Sequence, residues 1–409
     1  MKKQMEAFIL KALGIIAEYN PFHNGHRFHI RASQEKVHPD ATIVVMSGPF
    51  VQRGTPAVLD KWQRCRIALA GGADLVCELP VPWATAGAEK FAEGAVAILD
   101  ALHCTYLSFG SESGDIESLK KIAHLLSEEP PVFQSELKKR LKRGASFAKS
   151  REKAVCSLLG RSAADVMTKP NNILGIEYLK AITRSHAHLQ PITLKRQGAQ
   201  HDQTASDSFS SSAIRQLMRT DDIAFASDYL PYPSQILKDA HFCSLETHFE
   251  KFTAAKLLTS SLPQLRGLPE VTEGLEFALQ NTARDPQGFS YQQIIDCVSS
   301  KRIPKSRVRR ILFNLALNIS KQSIDQFWAC APPYIRILGM NDRGRAFLAE
   351  NKKKIDCPIL INVKSNQTQL NQPAKEILGL DMRAQNMWNY LHGDALLFHD
   401  YRHPPVLVF

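Results

Sequence analysis

The feature that most limits what this chain can fold into is an alternation in its first half. Ala12-Leu-Gly-Ile-Ile-Ala17, Ala41 to Met46, Asp74 to Leu79, Thr105 to Phe109 and Gln190 to Lys195 are short apolar runs rich in β-branched residues. Each is too short for a helix and reads as a buried strand. Helical patterns lie between them, beginning near Gly25, from Asp60 to Ala70 and from Ala84 to Leu102. Asp60 is predicted to cap its helix and the Gly71-Gly72 pair to stop it. Buried strands separated by helices imply βαβ units and a mostly parallel sheet covered on both faces. The fold class is α/β.

The pattern changes after about residue 220. Tyr291 to Val298 and Arg307 to Ile319 carry apolar residues at helical spacing, and only Pro358 to Val363 reads as a late strand. Tyr229 to Ser234, with two prolines, is predicted to be a linker. The 409 residues therefore divide into an α/β domain over 1–225 and a mainly α-helical domain over 226–409. Such a chain buries a sizeable core without disulfide staples. Its eight cysteines are scattered with no C-x-x-C pair, most in apolar surroundings, which predicts a reduced chain. Met1 to Lys11 has too broken an apolar run for a signal segment, and no run approaches the roughly 18 apolar residues of a membrane span. A soluble, cytoplasmic protein without membrane contact is expected.

Lysine and arginine number 51 against 40 acidic residues, a formal net charge of +11. Two runs concentrate the excess. Glu136 to Lys153 has eight basic residues against two glutamates, and Lys301 to Arg310 has six and no acid. In the second, Ile311, Leu312, Leu315 and Leu317 are predicted to face inward, leaving Arg307 and Arg310 free for phosphates. Lys138, Lys139, Lys301, Arg302, Arg307 and Arg310 are the expected contacts to a nucleic-acid backbone. A one-signed run is otherwise a solvated face.

The chemistry-bearing stretch follows the first strand: Glu18-Tyr-Asn-Pro-Phe-His-Asn-Gly-His26. In an open α/β sheet, ligands bind beyond the carboxyl ends of the strands. The next helix offers free backbone N–H groups and a positive dipole end to an anion. Gly25 admits a phosphate close to the backbone. His23 and His26 can donate to phosphoryl oxygens as charge builds in a displacement at phosphorus. Two histidines three apart could equally be a metal pair or chance, but their place after a strand favours the site. His29 and His38 are expected on the surface. A second element, Phe209-Ser-Ser-Ser-Ala-Ile-Arg215, combines a serine helix cap with an arginine, an anion site suited to a nucleotide's outer phosphates. Gly110-Ser-Glu-Ser-Gly114 has Glu112 where a nucleophile elbow needs serine, so that reading is rejected.

H-x-G-H after strand one, with a later S-S-S-x-I-R, resembles the nucleotidyltransferase superfamily related to class I aminoacyl-tRNA synthetases, without their K-M-S-K-S loop. Longer words are narrower: Gly14 to His26, Met46-Ser-Gly48, Gln52-Arg-Gly54, Ala73 to Pro80, Phe109-Gly-Ser-Glu112, Lys169-Pro-Asn-Asn-Ile-Leu-Gly175 and Leu338-Gly-Met340. These resemble the bacterial tRNA(Met) cytidine acetate ligases over nearly the whole chain. The resemblance implies a Rossmann-like nucleotidyltransferase sheet. It implies activation of acetate by ATP to acetyl-adenylate and diphosphate, then transfer to N4 of the wobble cytidine (position 34) of elongator tRNA(Met), releasing AMP. It assigns ATP to Ile16, Ala17, Glu18, Asn20, Pro21, Phe22, His23, Gly25, His26, Gly110, Asn171 or Asn172, and Arg196, with Ser211 and Arg215 beside them. Magnesium is expected with ATP, with no dedicated protein metal site and no obligate protein partner. Met1 to Lys11 is longer than the family's usual lead-in. The runner-up is a small-molecule nucleotidyltransferase of the pantetheine-phosphate or nicotinamide-mononucleotide type. A third reading is a catalytically idle RNA-binding protein, against which intact His23, Gly25 and His26 argue.

Overall fold

The computed structural model describes residues 10–196, 210–220, 222–272, 274–284, 289–394 and 398–408. Residues 1–9 of the lead-in and Phe209 of the serine motif lie outside them. Eight strands among the described residues form one sheet: β1 (Ala12–Ala17), β2 (Ala41–Ser47), β3 (Leu75–Leu79), β4 (Tyr106–Ser111), β5 (Gln190–Lys195), β6 (Ile335–Asn341), β7 (Ile359–Leu360) and β8 (Val406–Val408). Their order is β5-β4-β1-β2-β3-β6-β7, with β8 also on β6. β1 to β5 are mutually parallel, as the alternation predicts.

The two-residue period sorts the strands onto two cores. Leu13, Ile15, Val44, Met46 and Val76 pack with Ile30 of helix α1 (Asn24–Val37) and with Trp62, Cys65 and Ala68 of helix α2 (Lys61–Ala70). Ala12, Ile43, Val45, Leu75 and Cys77 pack on the other face with Ala95 and Leu99 of the helix Ala88–Ala101 and with Tyr178 and Leu179 of the helix Pro170–Ser185. Every residue of β2 and β3 is buried. At roughly 1.5–3 kcal/mol for each buried aliphatic side chain, this double burial dominates the stability of the sheet. Asp60 caps α2, accepting from Trp62 N and Gln63 N at 2.7 and 2.8 Å, and Gly71 ends it.

The C-terminal half is mainly helical but returns β6, β7 and β8 to the sheet, and β6 runs antiparallel to β3. Pro358 to Val363 contributes only the two-residue β7. β6 escapes a reading of apolar pattern because Arg336 interrupts it. Its partners are distant in sequence: Arg336 lies 3.4 Å from both Glu78 and Asp400, and Lys61 bonds Glu78 at 2.8 Å and Asp400 at 2.9 Å, all of them buried. Such a cluster replaces the lost hydration of each charge only when all members are present. It fixes β6 on β3, where Glu78 and Arg336 are register partners.

Two further expectations are corrected. The segment Tyr229 to Ser234 is no free linker, since Leu230 is buried and the Tyr232 hydroxyl donates to the Phe22 carbonyl at 2.9 Å. None of the eight cysteines is in a disulfide, but only Cys65, Cys77 and Cys104 are buried, while Cys243, Cys297 and Cys330 are exposed. Among the described residues no helix is long and apolar enough to cross a membrane.

Candidate active site

Beyond Ile16 and Ala17 at the carboxyl end of β1, the chain turns through Glu18 to Phe22 before α1 begins. Tyr19 takes a left-handed backbone, φ 49°, and the Asn20–Pro21 bond is cis. The turn is held from outside. Asn20 Oδ1 accepts from Val58 N at 2.8 Å. The Asn20 carbonyl accepts from the Arg215 guanidinium, and the Pro21 carbonyl accepts from Ser211 Oγ at 3.1 Å. With Tyr232 on Phe22, three consecutive carbonyls are clamped by side chains from residues 211–232. Ser210 caps its helix as predicted, accepting from Ala213 N at 3.2 Å. Ser211 and Arg215 thus meet the histidine turn, but as its supports: Arg215 is spent on Asn20 and on Ser212 Oγ at 3.1 Å.

His23 is the N-cap of α1. Its Nδ1 accepts from Gly25 N at 3.1 Å, and His26 Nδ1 accepts from His23 N at 3.2 Å. This is a reciprocal capping box built from histidines in place of serine and glutamate. Because each Nδ1 is an acceptor, each ring carries its proton on Nε2. The two rings stack with centroids 3.8 Å apart. Burial, then the charge of Arg196, pushes His23 down to about 4. His26 is held well below its ordinary value by burial, then by His23 and Arg196. Both are neutral Nε2–H donors at physiological pH, at the positive end of a fourteen-residue helix.

His29 is not a surface residue. Its Nε2 lies 3.0 Å from Ser108 Oγ of β4, which also pairs with Ser33 Oγ at 2.7 Å. Burial and Arg196 push His29 down to about 4. Spacings of three put residues 23, 26 and 29 on one side of a helix, the signal that could have found it. His38 is exposed, at the end of α1.

The depressed values give a stability prediction. Unfolded histidine titrates near 6.5 and takes up protons before the folded rings do, so stability is full above pH 6.5 and falls as pH drops toward 4. Thermal melting from pH 7 to 4 should show this loss, reduced in a His29→Asn variant. A variant melting curve with an unchanged pH slope would contradict it.

Arg196, just past β5, depresses all three histidines and so stands over the same crevice. Its stem crosses Gly110 of β4, where a Cβ would come within 3.2 Å of Arg196 Cγ. The room at Gly110 is therefore used by Arg196. Asn171 Oδ1 is 3.5 Å from the Arg196 guanidinium. Asn172 differs from Asn171: it is buried, its Oδ1 accepts from Glu112 N and Ser113 N, and its Nδ2 donates to the Val166 carbonyl. Glu112 in turn accepts from the backbone N of both asparagines at 3.2 and 2.8 Å. Asn172 and Glu112 fasten the loop after β4 to a helix start, and Asn171 faces Arg196.

Sequence reasoning missed Arg64. Fully buried in α2, it donates to the carbonyls of Leu59 at 3.0 Å, Glu18 at 2.8 Å, Ser47 at 2.9 Å and Gly48. One guanidinium thus gathers the carboxyl ends of β1 and β2. Glu18 Oε1 accepts from Gln52 N at 2.8 Å, drawing in the loop Gln52-Arg-Gly54. Gly54, φ 70°, sits against the helix Lys305–Ala316, where a Cβ would lie 2.9 Å from Phe313 Cβ.

The basic runs are redistributed. Arg307 donates to the Glu270 carbonyl at 2.7 and 3.1 Å and to Thr272 Oγ1 at 2.6 Å. Arg310 forms a two-point ion pair with Glu270 at 2.6 and 2.5 Å. Neither is free for phosphates. Arg310→Ala should therefore cost about 1–2 kcal/mol of stability, measured by denaturant melting, without weakening RNA binding. Lys301 and Arg302 are exposed, and Arg302 reaches the Gly144 carbonyl at 3.4 Å across 158 residues of sequence. Gly144 lies in the turn between the helices Pro131–Lys142 and Phe147–Leu159. The two runs meet as one surface, with Lys138, Lys139, Lys142, Arg143 and Lys149 all exposed. Phe147 is exposed there, with the Arg151 guanidinium 5.9 Å from its ring. Among the described residues no three histidine, cysteine or acidic side chains group as metal ligands.

Residues 10–400 match the family described as HIGH Nucleotidyl Transferase. The chain is 40% identical to the tRNA(Met) cytidine acetate ligase of Thermoanaerobacter sp. (strain X514), over 88% of this chain and 90% of that one. It is similar to the crystal structure of apo Thermotoga maritima TmcAL, with TM-score 0.91 and 35% identity, covering 98% of this chain and all of that one. The same protein bound with alpha-thio ATP matches with TM-score 0.89 and 34% identity, over 97% and 99% of the two chains.

Proposed function

Because the chain belongs to the HIGH nucleotidyl transferase family, among its tRNA(Met) cytidine acetate ligases, we infer that it is an ATP-dependent ligase that joins acetate to a cytidine of tRNA. The observation that carries the chemistry is the pair of neutral, stacked histidines at the end of β1, each with its proton on Nε2. An oxygen of acetate attacks the α-phosphorus of ATP, the bond to the bridging oxygen breaks, and diphosphate leaves. Negative charge grows on the non-bridging oxygens, and two preset N–H donors with the α1 N-terminus stabilise it without needing to reorganise. Arg196 offsets the polyphosphate charge, and Asn171 orients Arg196. Ser211, Arg215 and Tyr232 act through the turn they clamp. ATP would carry its own magnesium, which would offset phosphate charge, in keeping with phosphoryl chemistry in general.

In the second step, the exocyclic N4 amine of the wobble cytidine attacks the acetyl carbonyl, AMP departs with the C–O electron pair, and the amine loses a proton. Elongator tRNA(Met) is gripped by the merged surface around Lys138, Lys139, Lys301 and Arg302. The small-molecule transferase reading is set aside, because similarity to the ligases runs the length of the chain, through the helical half that such enzymes do not need.

The decisive experiment incubates the protein with ATP and labelled acetate, with and without tRNA(Met). Label should appear in the RNA as N4-acetylcytidine at one position, with AMP and diphosphate released. Label in a small dinucleotide product, or none in RNA, would overturn the reading.

A further inference from the structure

Two motifs, Met46-Ser-Gly48 and Gln52-Arg-Gly54, have no role in the chemistry so far. Ser47 is the last residue of β2 and fully buried, and its Oγ has no hydrogen-bond partner among the described residues. The Gln52 side-chain nitrogen is likewise buried without a partner. Both residues are tied through their backbones to Glu18, the residue that follows β1. Arg64 joins the Ser47 and Glu18 carbonyls through one nitrogen, at 2.9 and 2.8 Å, and the Glu18 carboxylate accepts from Gln52 N at 2.8 Å. Glu18 leads directly into the histidine turn.

We propose that Ser47 Oγ and Gln52 Nε2 bind the carboxylate of the acid substrate. The proposal rests on the reading of this crevice as one that activates acetate. A buried donor without an acceptor costs free energy, so folds rarely retain one, and retained ones call for an explanation. Here the surrounding groups are satisfied: Arg64 makes four bonds to carbonyls, Asn20 accepts from Val58, and Glu18 accepts from Gln52. Two orphaned donors on one wall suit a ligand with two acceptor oxygens. Both are neutral, so they orient a carboxylate without forming the ion pair that would blunt its attack on phosphorus. The buried Arg64 guanidinium, behind the Ser47 carbonyl, supplies the compensating charge. The buried Phe50 and Val51 lie in the short loop between the two donors. Tyr19 OH is also buried without a partner, and its ring packs on Phe22 and His26.

The test measures acetate-dependent diphosphate release in the presence of tRNA(Met), with thermal melting of each variant. Ser47→Ala should raise KM for acetate about tenfold, the loss of one hydrogen bond, and leave KM for ATP within about twofold. Gln52→Glu, nearly isosteric but anionic, should raise it on the order of a hundredfold. Ser47→Ala should melt no lower than the unaltered protein, because it removes an unsatisfied hydroxyl; a merely structural serine would melt lower. Unchanged acetate KM in both variants, or equal rises for acetate and ATP, would overturn the subsite. If the unaltered protein releases no diphosphate in response to acetate, the functional reading itself fails, which is a distinguishable result.

Discussion

His26→Ala should lower the rate of acetyl-adenylate formation by about 10²–10³-fold, the usual cost of removing one preset donor from a developing oxyanion. His23→Ala should cost a similar factor, and the double variant much less than the product, since the two rings act on the same charge. Alanine also removes a cap, so folding needs its own control. His26→Gln keeps the capping box, because glutamine is an ordinary third-position partner for the N-cap backbone, and its side-chain nitrogen can still donate. His23→Asn likewise keeps a strong N-cap. Single-turnover rates with labelled acetate should place His26→Gln between alanine and the unaltered protein. Melting temperatures of the two conservative variants should stay near the original. A His26→Ala enzyme that forms acetyl-adenylate at the unaltered rate would remove these rings from the chemistry. The rate should also be flat from about pH 6 to 8, since the rings are already neutral throughout that range.

The second large effect concerns RNA. Replacing Lys138, Lys139, Lys301 and Arg302 together with alanine should weaken tRNA binding by roughly 10²–10³-fold at low salt. The slope of log affinity against log salt should fall by about 3, at roughly 0.7–0.9 for each phosphate no longer neutralised. KM for ATP should not move, because none of the four touches the histidine turn. Filter-binding titrations across a salt series give both quantities, with Arg310→Ala as the control that loses stability but keeps RNA affinity. Equal affinity for the quadruple variant and the original would locate the tRNA grip elsewhere. The helical hairpin turn at Gly144 and the loop around Arg302 touch, so charges from two distant runs lie on one surface.

What can be read from the chain alone has a common character. Strand β5 occupies the predicted Gln190 to Lys195, and the helix Tyr291–Val298 matches its predicted bounds, because hydrophobic period is a property of neighbouring residues. Asp60 and Ser210 act as N-caps because a cap bonds to residues two or three ahead. The histidine motif after β1 is legible for the same reason. β6 is not, since an arginine in a buried strand makes sense only with Glu78 and Asp400 in view. His29 is wrongly expected at the surface because the serine pair that receives it involves β4, far along the chain. Arg307 and Arg310 are wrongly expected to be free because Glu270, 37 and 40 residues away, is invisible to any local pattern.

Sequence by itself determined the α/β alternation, the position of the paired histidines after β1 and the excess of positive charge. These depend on chain-local periods, caps and composition. Tertiary structure alone decided which basic residues remain available, that Ser211 and Arg215 brace the histidine turn, and that burial keeps the histidines neutral. Those outcomes depend on which groups meet in space and how much water they lose, quantities that sequence separation does not encode.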